Sequence, residues 1–333
     1  MALNFSFIIP VYNRPEEVNE LLESMAMLDG DIPFEVVIVE DGSTISSEEI
    51  VQQYQDKLQI SYYFKPNSGP GDSRNYGMQK AKGNYFIILD SDCILPPSYL
   101  EAAKSALDAN FVDCYGGPDA AHSSFSDIQK AINYSMTSFL TTGGIRGGKK
   151  AVNKFQPRSF NMGLSQKAFE TTGGFGKIHP GEDPDLTIRL WKAGFETVLI
   201  PLAFVYHKRR ISWEKFYQQV QKFGLTRPIL NQWHPETKKI TYWFPTFFIL
   251  GFAISILLWF AGEARLLWLY AMYFTIIFLD ALVKNKSVKI AFLAVYAVLT
   301  QFFGYGLAFV KSTFLLTFSK KKPEQIFPKL FFK

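Results

Sequence analysis

Through about its first 210 residues, the chain alternates short apolar runs with segments whose apolar positions recur every three or four residues. Residues 5–9 form a β-rich run ended by Pro10. Pro15 then opens a helical pattern to residue 28, with Val18, Leu21, Leu22 and Met25 on one face. Strand 34–39, helix 47–57, strand 60–64, helix 72–82 and strand 85–89 follow, and 196–201 again reads as strand. Strands that alternate with helices predict an α/β domain with a mostly parallel, Rossmann-like sheet covered on both faces. Ligands of such sheets bind beyond the carboxyl ends of the strands. That rule singles out 11–14, 40–43, 67–74 and 90–92, four polar clusters that all follow strands. Each alone also reads as an ordinary turn rich in Asp, Gly, Ser and Pro.

The pattern changes near Thr241, where long apolar runs at 242–262, 266–283 and 290–310 take over. Each is about long enough to cross a hydrocarbon core, and three in succession predict transmembrane helices rather than buried core helices. Between the two regions, Trp213, Phe216, Tyr217, Val220 and Phe223 keep helical spacing, with Lys215, Gln218 and Lys222 elsewhere on the helix. This fits an amphipathic helix lying on a membrane surface, or one packed on the first domain. The expected organisation is a first domain at 1–210, an interfacial or linker helix at 211–240, a transmembrane region at 241–318 and a basic tail at 319–333. Lys238, Lys239, Lys284, Lys286 and Lys289 flank the spans so that the positive-inside rule puts the first domain in the cytosol. Lys320, Lys321 and Lys322 conflict, because three crossings would leave them outside; a break at Gly304–Gly306 or an interfacial tail would relieve this.

The chain's 48% hydrophobic and 16% aromatic content suits a protein that meets lipid, and its net charge of +5 is too small and scattered to argue for nucleic acid. Cys93 and Cys114 form no CxxC pair, so neither a zinc site nor a disulfide framework is expected. Residues 1–10 lack the features of a secretory signal peptide, again consistent with a cytosolic first domain in a multi-pass inner-membrane protein. Gly-rich, basic residues 141–159, with Arg146, Lys149, Lys150, Lys154 and Arg158, suit either a loop for a phosphorylated acceptor or a plain solvated loop.

Two patterns carry chemistry. Asp90-Ser91-Asp92 follows a buried strand, and carboxylates so placed can hold a hard divalent cation on phosphates. Glu182-Asp183-Pro184-Asp185-Leu186 puts three carboxylates at a helix start, more than dipole capping needs, and one of them can serve as a general base. His207, after the 196–201 strand, is a softer candidate, for which a hydrogen-bonded structural histidine is the alternative reading.

The segments Phe7-Ile8-Ile9-Pro10-Val11-Tyr12-Asn13, Val39-Glu40-Asp41-Gly42-Ser43 and Ser73-Arg74-Asn75-Tyr76-Gly77 resemble family 2 of the inverting glycosyltransferases. So do Asp90-Ser91-Asp92, Asn161-Met162-Gly163, Gly173-Gly174-Phe175 and Glu182-Asp183-Pro184-Asp185-Leu186, in matching order across about 3–210. The resemblance implies a GT-A fold, a nucleotide-diphospho-sugar donor (a UDP-sugar foremost) and Mn²⁺ or Mg²⁺. Pro10 and Tyr12 would lie along the nucleobase and ribose, Glu40 and Asp41 would hold them, and Arg74 would face the base or diphosphate. Asp92, helped by Asp90 and with His207 nearby, would bind the metal; Asp183 would be the catalytic base, with Glu182 the fallback.

Two departures narrow this. Glu40-Asp41 stands where the family carries two aspartates, and no Gln-x-x-Arg-Trp motif of processive synthases follows the acidic motif. Single-sugar addition to a hydroxyl of a lipid-linked saccharide, in bacterial cell-surface polysaccharide synthesis, is the function expected. The alternatives are transfer to a polyprenyl phosphate and, from another class, a non-catalytic nucleotide-sugar-binding membrane scaffold.

Overall fold

The computed structural model describes residues 2–120, 125–142, 155–207 and 212–332, with only the backbone of His207. The basic residues 146–154 of the Gly-rich loop lie outside them. The chain folds into two compact units, one of residues 1–122, 149–208 and 331–333, the other of 123–148 and 209–330. The described residues 125–142 thus group with the hydrophobic C-terminal part rather than with the first domain expected at 1–210.

The first unit is built on strands β1 (Phe5–Val11), β2 (Phe34–Asp41), β3 (Ile60–Lys65), β4 (Tyr85–Leu89), β5 (Cys93–Ile94), β6 (Cys114–Gly116), β7 (Asp119–Ala120), β8 (Asn161–Ser165), β9 (Thr197–Leu199) and β10 (Val205–His207). Among the described residues the main sheet runs β3-β2-β1-β4-β8-β6-β9, and a small sheet runs β5-β10-β7. β1 pairs in parallel with β2 and β4, whereas β8 is antiparallel to both β4 and β6. The sheet is therefore mixed, with a parallel half that carries the strand ends of interest. β1 runs through Pro10 to Val11, beyond the stop expected from the sequence. Its pairing with β4 ends at Ile8, so Pro10 falls where one side of the strand is already unpaired.

Helices α1 (Pro15–Ala26), α2 (Glu48–Gln52), α3 (Pro70–Lys80) and α4 (Tyr99–Ala109) belong to this unit. Alternate residues of each strand serve opposite faces. Phe7, Ile9, Val36 and Ile38 pack against Val18, Leu21 and Leu22 of α1 and Tyr99 and Leu100 of α4. Ile8, Val37 and Val39 face Met78 of α3. Every strand residue from Tyr85 to Leu89 is buried, which explains why β4 reads as an unbroken apolar run.

The second unit contains α5 (Asp127–Thr137) and α6 (Phe139–Thr142). Helices α7 (Gln166–Thr172) and α8 (Glu182–Lys192) return to the first unit and cover the Ile8 face through Ala168, Leu186 and Leu190. Then come α9 (Trp213–Trp233), α10 (Phe244–Phe260), α11 (Arg265–Asn285) and α12 (Val288–Phe318) of the second unit. Three helical stretches, Ile240–Phe260, Arg265–Asn285 and Val288–Phe318, are long and apolar enough to cross a membrane.

Helix α9 starts at Ser212, whose Oγ accepts from Lys215 N, and its apolar face is covered by α12. The two helices meet along small residues. A Cβ on Gly304 would come 2.5 Å from Val220 Cγ2, and one on Gly224 would come 2.3 Å from the Tyr305 carbonyl. Ser312 Oγ donates to the Leu225 carbonyl at 2.7 Å. Helix α12 passes without a break through Gly304 and Gly306, which removes the first of the two ways to relieve the lysine conflict; these glycines serve close helix approach instead. Gly224→Ala should therefore destabilise the protein by about 1–3 kcal/mol through overpacking, although alanine is the better helix former by roughly 1 kcal/mol. A thermal midpoint in detergent equal to or above that of the wild type would contradict this packing.

Candidate functional site

The ends of β1, β2 and β4 lie side by side: Val11 is level with Glu40, and Leu89 is level with Asn161 at the start of β8. The clusters predicted from the sequence are thereby brought to one edge of the sheet. Their side chains divide into those that brace the loops of the edge and those that gather around one buried arginine.

Glu40 and Asp41 belong to the first group. Glu40 is fully buried and accepts from Ser47 N at 3.0 Å, Tyr62 OH at 3.2 Å and Ser43 Oγ. Asp41 accepts from Lys65 Nζ at 2.8 Å and from the backbone amides of Ser68 and Gly69, each at 2.9 Å. Both carboxylates thus brace the loops that follow β2 and β3. Gly42, at φ +72°, is required between them, since a Cβ there would meet Asn67 N at 2.6 Å. Asn13 does the same for the neighbouring loop, its Oδ1 accepting from the amides of Thr44 and Ile45 at 2.8 and 2.9 Å. Tyr12 is left 53% exposed beside it, on the open side of the edge.

Arg74, on α3, is the centre of the second group. Its side chain is 4% exposed, and it reaches Asp90 Oδ1 with Nη2 at 2.7 Å and Glu182 Oε1 with Nη1 at 3.2 Å. The Phe175 ring lies 5.2 Å from the guanidinium. Burial disfavours the charge, yet Asp90 and Glu182 outweigh it and hold Arg74 above the ordinary guanidinium value. Asp92 lies 3.8 Å from Arg14 Nη1. The pairing of β5 with β10 sets the His207 backbone opposite Cys93, one residue beyond Asp92. The His207 side chain lies outside the described residues, and no cluster of three His, Cys, Asp or Glu side chains forms among the described ones.

The first turn of α8 separates the three acidic residues by role. Asp185 is bound to Arg189, whose Nη2 lies 2.8 Å from its Oδ2 and whose other donors reach the Thr172 and Gly174 carbonyls. It fastens α8 to the loop after α7. Glu182 is held between Arg74 and His179, with His179 Nδ1 at 2.8 Å from Oε1. Although burial opposes ionisation, these two partners keep it firmly ionised. Asp183 differs. Its Oδ1 is sealed from solvent and has no hydrogen-bond partner among the described residues. Burial, and then the adjacent Glu182 charge, push its pKa up to about 6, against the opposing pull of Arg74.

His179 escaped the sequence reading, and Arg14 entered it only as the last residue of the 11–14 cluster. The signal for His179 was its position three residues before Glu182. A cavity of about 130 Å³ opens beside it, lined in part by Asp72, Asn75, Phe175, Lys177 and Phe332. It is smaller than the 300–1,000 Å³ of sites for drug-sized ligands.

Residues 6–173 match the model of glycosyl transferase family 2. The chain belongs to that family. It is 35% identical over 114 residues to the poly(ribitol-phosphate) β-N-acetylglucosaminyltransferase TarS of Staphylococcus aureus, a match covering 33% of this chain and 20% of that protein. An uncharacterised glycosyltransferase of Rickettsia typhi is 38% identical over 96 residues, 29% of each chain. The chain thus matches only about a fifth to a third of these relatives' length. Among solved structures, S. aureus TarS superposes with a TM-score of 0.50 at 24% identity, covering 69% of this chain and 40% of that one. The mannosyltransferase PcManGT of Pyrobaculum calidifontis gives 0.56 at 15% identity, covering 96% and 89%. These likenesses establish the GT-A-like fold expected from the motifs.

Arg74→Met would leave the buried Glu182 carboxylate short of a cation. Breaking a buried pair costs about 3–5 kcal/mol, which should appear as a lowered thermal midpoint. A variant that melts with the wild type would mean that Arg74 does not hold the site together.

Proposed function

We propose that this protein is a membrane-anchored, inverting glycosyltransferase that moves a sugar from a nucleotide-diphospho-sugar to an acceptor hydroxyl. The observation that carries this reading is one buried arginine shared between Asp90, on the leaving-group side, and Glu182, next to the base. As the glycosidic bond breaks, the diphosphate gains negative charge and the sugar gains oxocarbenium character. Arg74 lies where it can turn from Asp90 towards that charge without leaving the site. Asp183 takes the proton of the attacking hydroxyl, and in-line displacement inverts the anomeric centre. Glu182 is the weaker candidate for base, because His179 and Arg74 already occupy its acceptor oxygen.

Asp90 and Asp92 offer the hard oxygen donors that Mn²⁺ or Mg²⁺ prefers, and the β5–β10 register brings His207 to the same strand end. Asp90, with a third of its side chain exposed, is open to a ligand. A bound cation would supply charge stabilisation to the diphosphate. The solved PcManGT is a complex with GDP-Man and Mn²⁺, which supports the same donor class here. TarS is a β-N-acetylglucosaminyltransferase, and with the motif pattern this favours a UDP-sugar. Pro10 and Tyr12 would line the nucleobase and ribose, while Glu40 and Asp41 shape that wall by bracing its loops.

The apolar helices favour a lipid-linked saccharide as acceptor and the inner membrane as location, with the first unit cytosolic. A polyprenyl phosphate would arrive already ionised and need no base. An acceptor hydroxyl needs a base, and Asp183 in the first turn of α8 offers one, so we retain the hydroxyl.

The experiment is nucleoside-diphosphate release by the protein in nanodiscs, from a panel of UDP-, GDP- and dTDP-sugars with a membrane lipid extract as acceptor. One donor should be consumed, with loss of activity on chelation and in Asp92→Ala. Asp183→Asn should lower kcat by about 10²–10⁴-fold while melting no lower than the wild type, because it removes a poorly accommodated buried charge. With Asp183 as base, activity should also fall as pH drops below about 6, where the carboxyl becomes protonated. No release from any donor would overturn the enzymatic reading, and a fully active Asp183→Asn would overturn the base.

A further inference from the structure

The chain leaves the first unit after residue 208 and is back in it at Phe331. There Phe331 forms an antiparallel bridge with Ile178, and the Phe332 amide donates to the Lys177 carbonyl at 3.1 Å. The Phe332 ring lies 6.0 Å from that of His179 and against Gly69, where any Cβ would fall 2.3 Å from it. Both ends of the hydrophobic region are therefore tied to one folded unit, on one side of any bilayer. Such a region crosses an even number of times, yet it holds three candidate spans.

The helix that does not cross is identified by its neighbours. Within the second unit α12 is 44% buried over its apolar window, against 17% and 11% for the stretches of α10 and α11. Its cover is polar on the outside. Helix α9 lies along it through Gly224, Gly304 and Ser312, and carries exposed Glu214, Lys215 and Lys222. Helix α5 is pinned to its start by a 2.8 Å pair between Asp127 and Lys289. Were α12 to cross the bilayer, it would draw the charged face of α9 into hydrocarbon, where ionised side chains are costly.

Helices α10 and α11 carry no such cover. They form a hairpin whose sides expose Leu250, Ile254, Leu257, Trp268 and Met272. The 17 residues of α10 span about 25 Å at 1.5 Å per residue, close to the hydrocarbon thickness of about 30 Å. The charges of the turn, Glu263 and Arg265, form their own pair at 2.6 Å at its tip. Near the base of the hairpin, Asp280 is engaged by Tyr134 OH at 2.6 Å and Lys284 at 2.8 Å.

We propose that the α10–α11 hairpin alone crosses the membrane, and that α12, with α5 and α9, stays at the bilayer surface on the side from which the hairpin enters. This rests on the reading that the apolar helices enter a bilayer at all. It resolves the charge conflict of the sequence, because Lys238, Lys239, Lys284, Lys286, Lys289 and Lys320–Lys322 then share one face.

The test uses the full chain in intact bacterial cells with a membrane-impermeant maleimide; the two native cysteines are buried. Single cysteines replace Glu48 in the first unit, Ala261 at the hairpin tip, Val288 at the start of α12 and Lys321 after its end. Glu48→Cys, Val288→Cys and Lys321→Cys should label at least tenfold more after permeabilisation, and Ala261→Cys should label in intact cells. Labelling of Lys321→Cys or Val288→Cys from the side opposite Glu48→Cys would overturn the proposal. A carbonate wash separates the two readings. Release of the protein would remove membrane anchoring itself, whereas retention with Lys321→Cys outside would remove only the hairpin.

Discussion

One buried guanidinium joins the two halves of the site. Arg74 is donated by α3, Asp90 follows β4, and Glu182 begins α8, 108 residues beyond Arg74 along the chain. Without the cation, the carboxylates would repel one another at the edge of a sheet whose interior is apolar. With it, they are held at hydrogen-bonding distance and Arg74 remains charged. The same ion pairs divide the labour of the acidic turn. Because Arg74 and His179 bind Glu182, its charge persists next to Asp183 and raises the affinity of that carboxyl for a proton.

Much of this was legible in the residues. β1, β2 and β4 read clearly because both their faces are buried and their apolar runs are nearly continuous, whereas β3, at the sheet edge, is only half-buried. The turn residues after them announced the functional edge. β8 was invisible as a strand, since Asn161 and Gly163 interrupt any apolar pattern. Their reasons are tertiary: Asn161 bonds Tyr99 OH and the Ala203 carbonyl, and Gly163 leaves room for the Tyr115 ring, 2.0 Å from where a Cβ would stand. Strands of two or three residues, such as β5 and β7, are defined by their partners and leave no periodicity to read.

Sequence also could not say which carboxylates were already engaged. Glu40, Asp41 and Asp185 look as available as Asp183 when written in a row, yet the first three meet donors from their own loops and helix. The apolar runs illustrate the same limit on a larger scale. Length and hydropathy mark three equivalent spans, whereas small residues at Gly224, Gly304 and Ser312 give one of them a polar companion. Composition reports what a helix can do, and packing reports what its neighbours permit.

The central claim is that Asp183 is the base and that the Glu182 charge adds to burial in raising its proton affinity. The most direct measurement is the pH dependence of kcat/KM in Glu182→Gln beside the wild type. Removing the neighbouring negative charge should move the acid limb to lower pH while activity above it persists. An acid limb that stays in place, or complete loss of activity at every pH, would contradict the account.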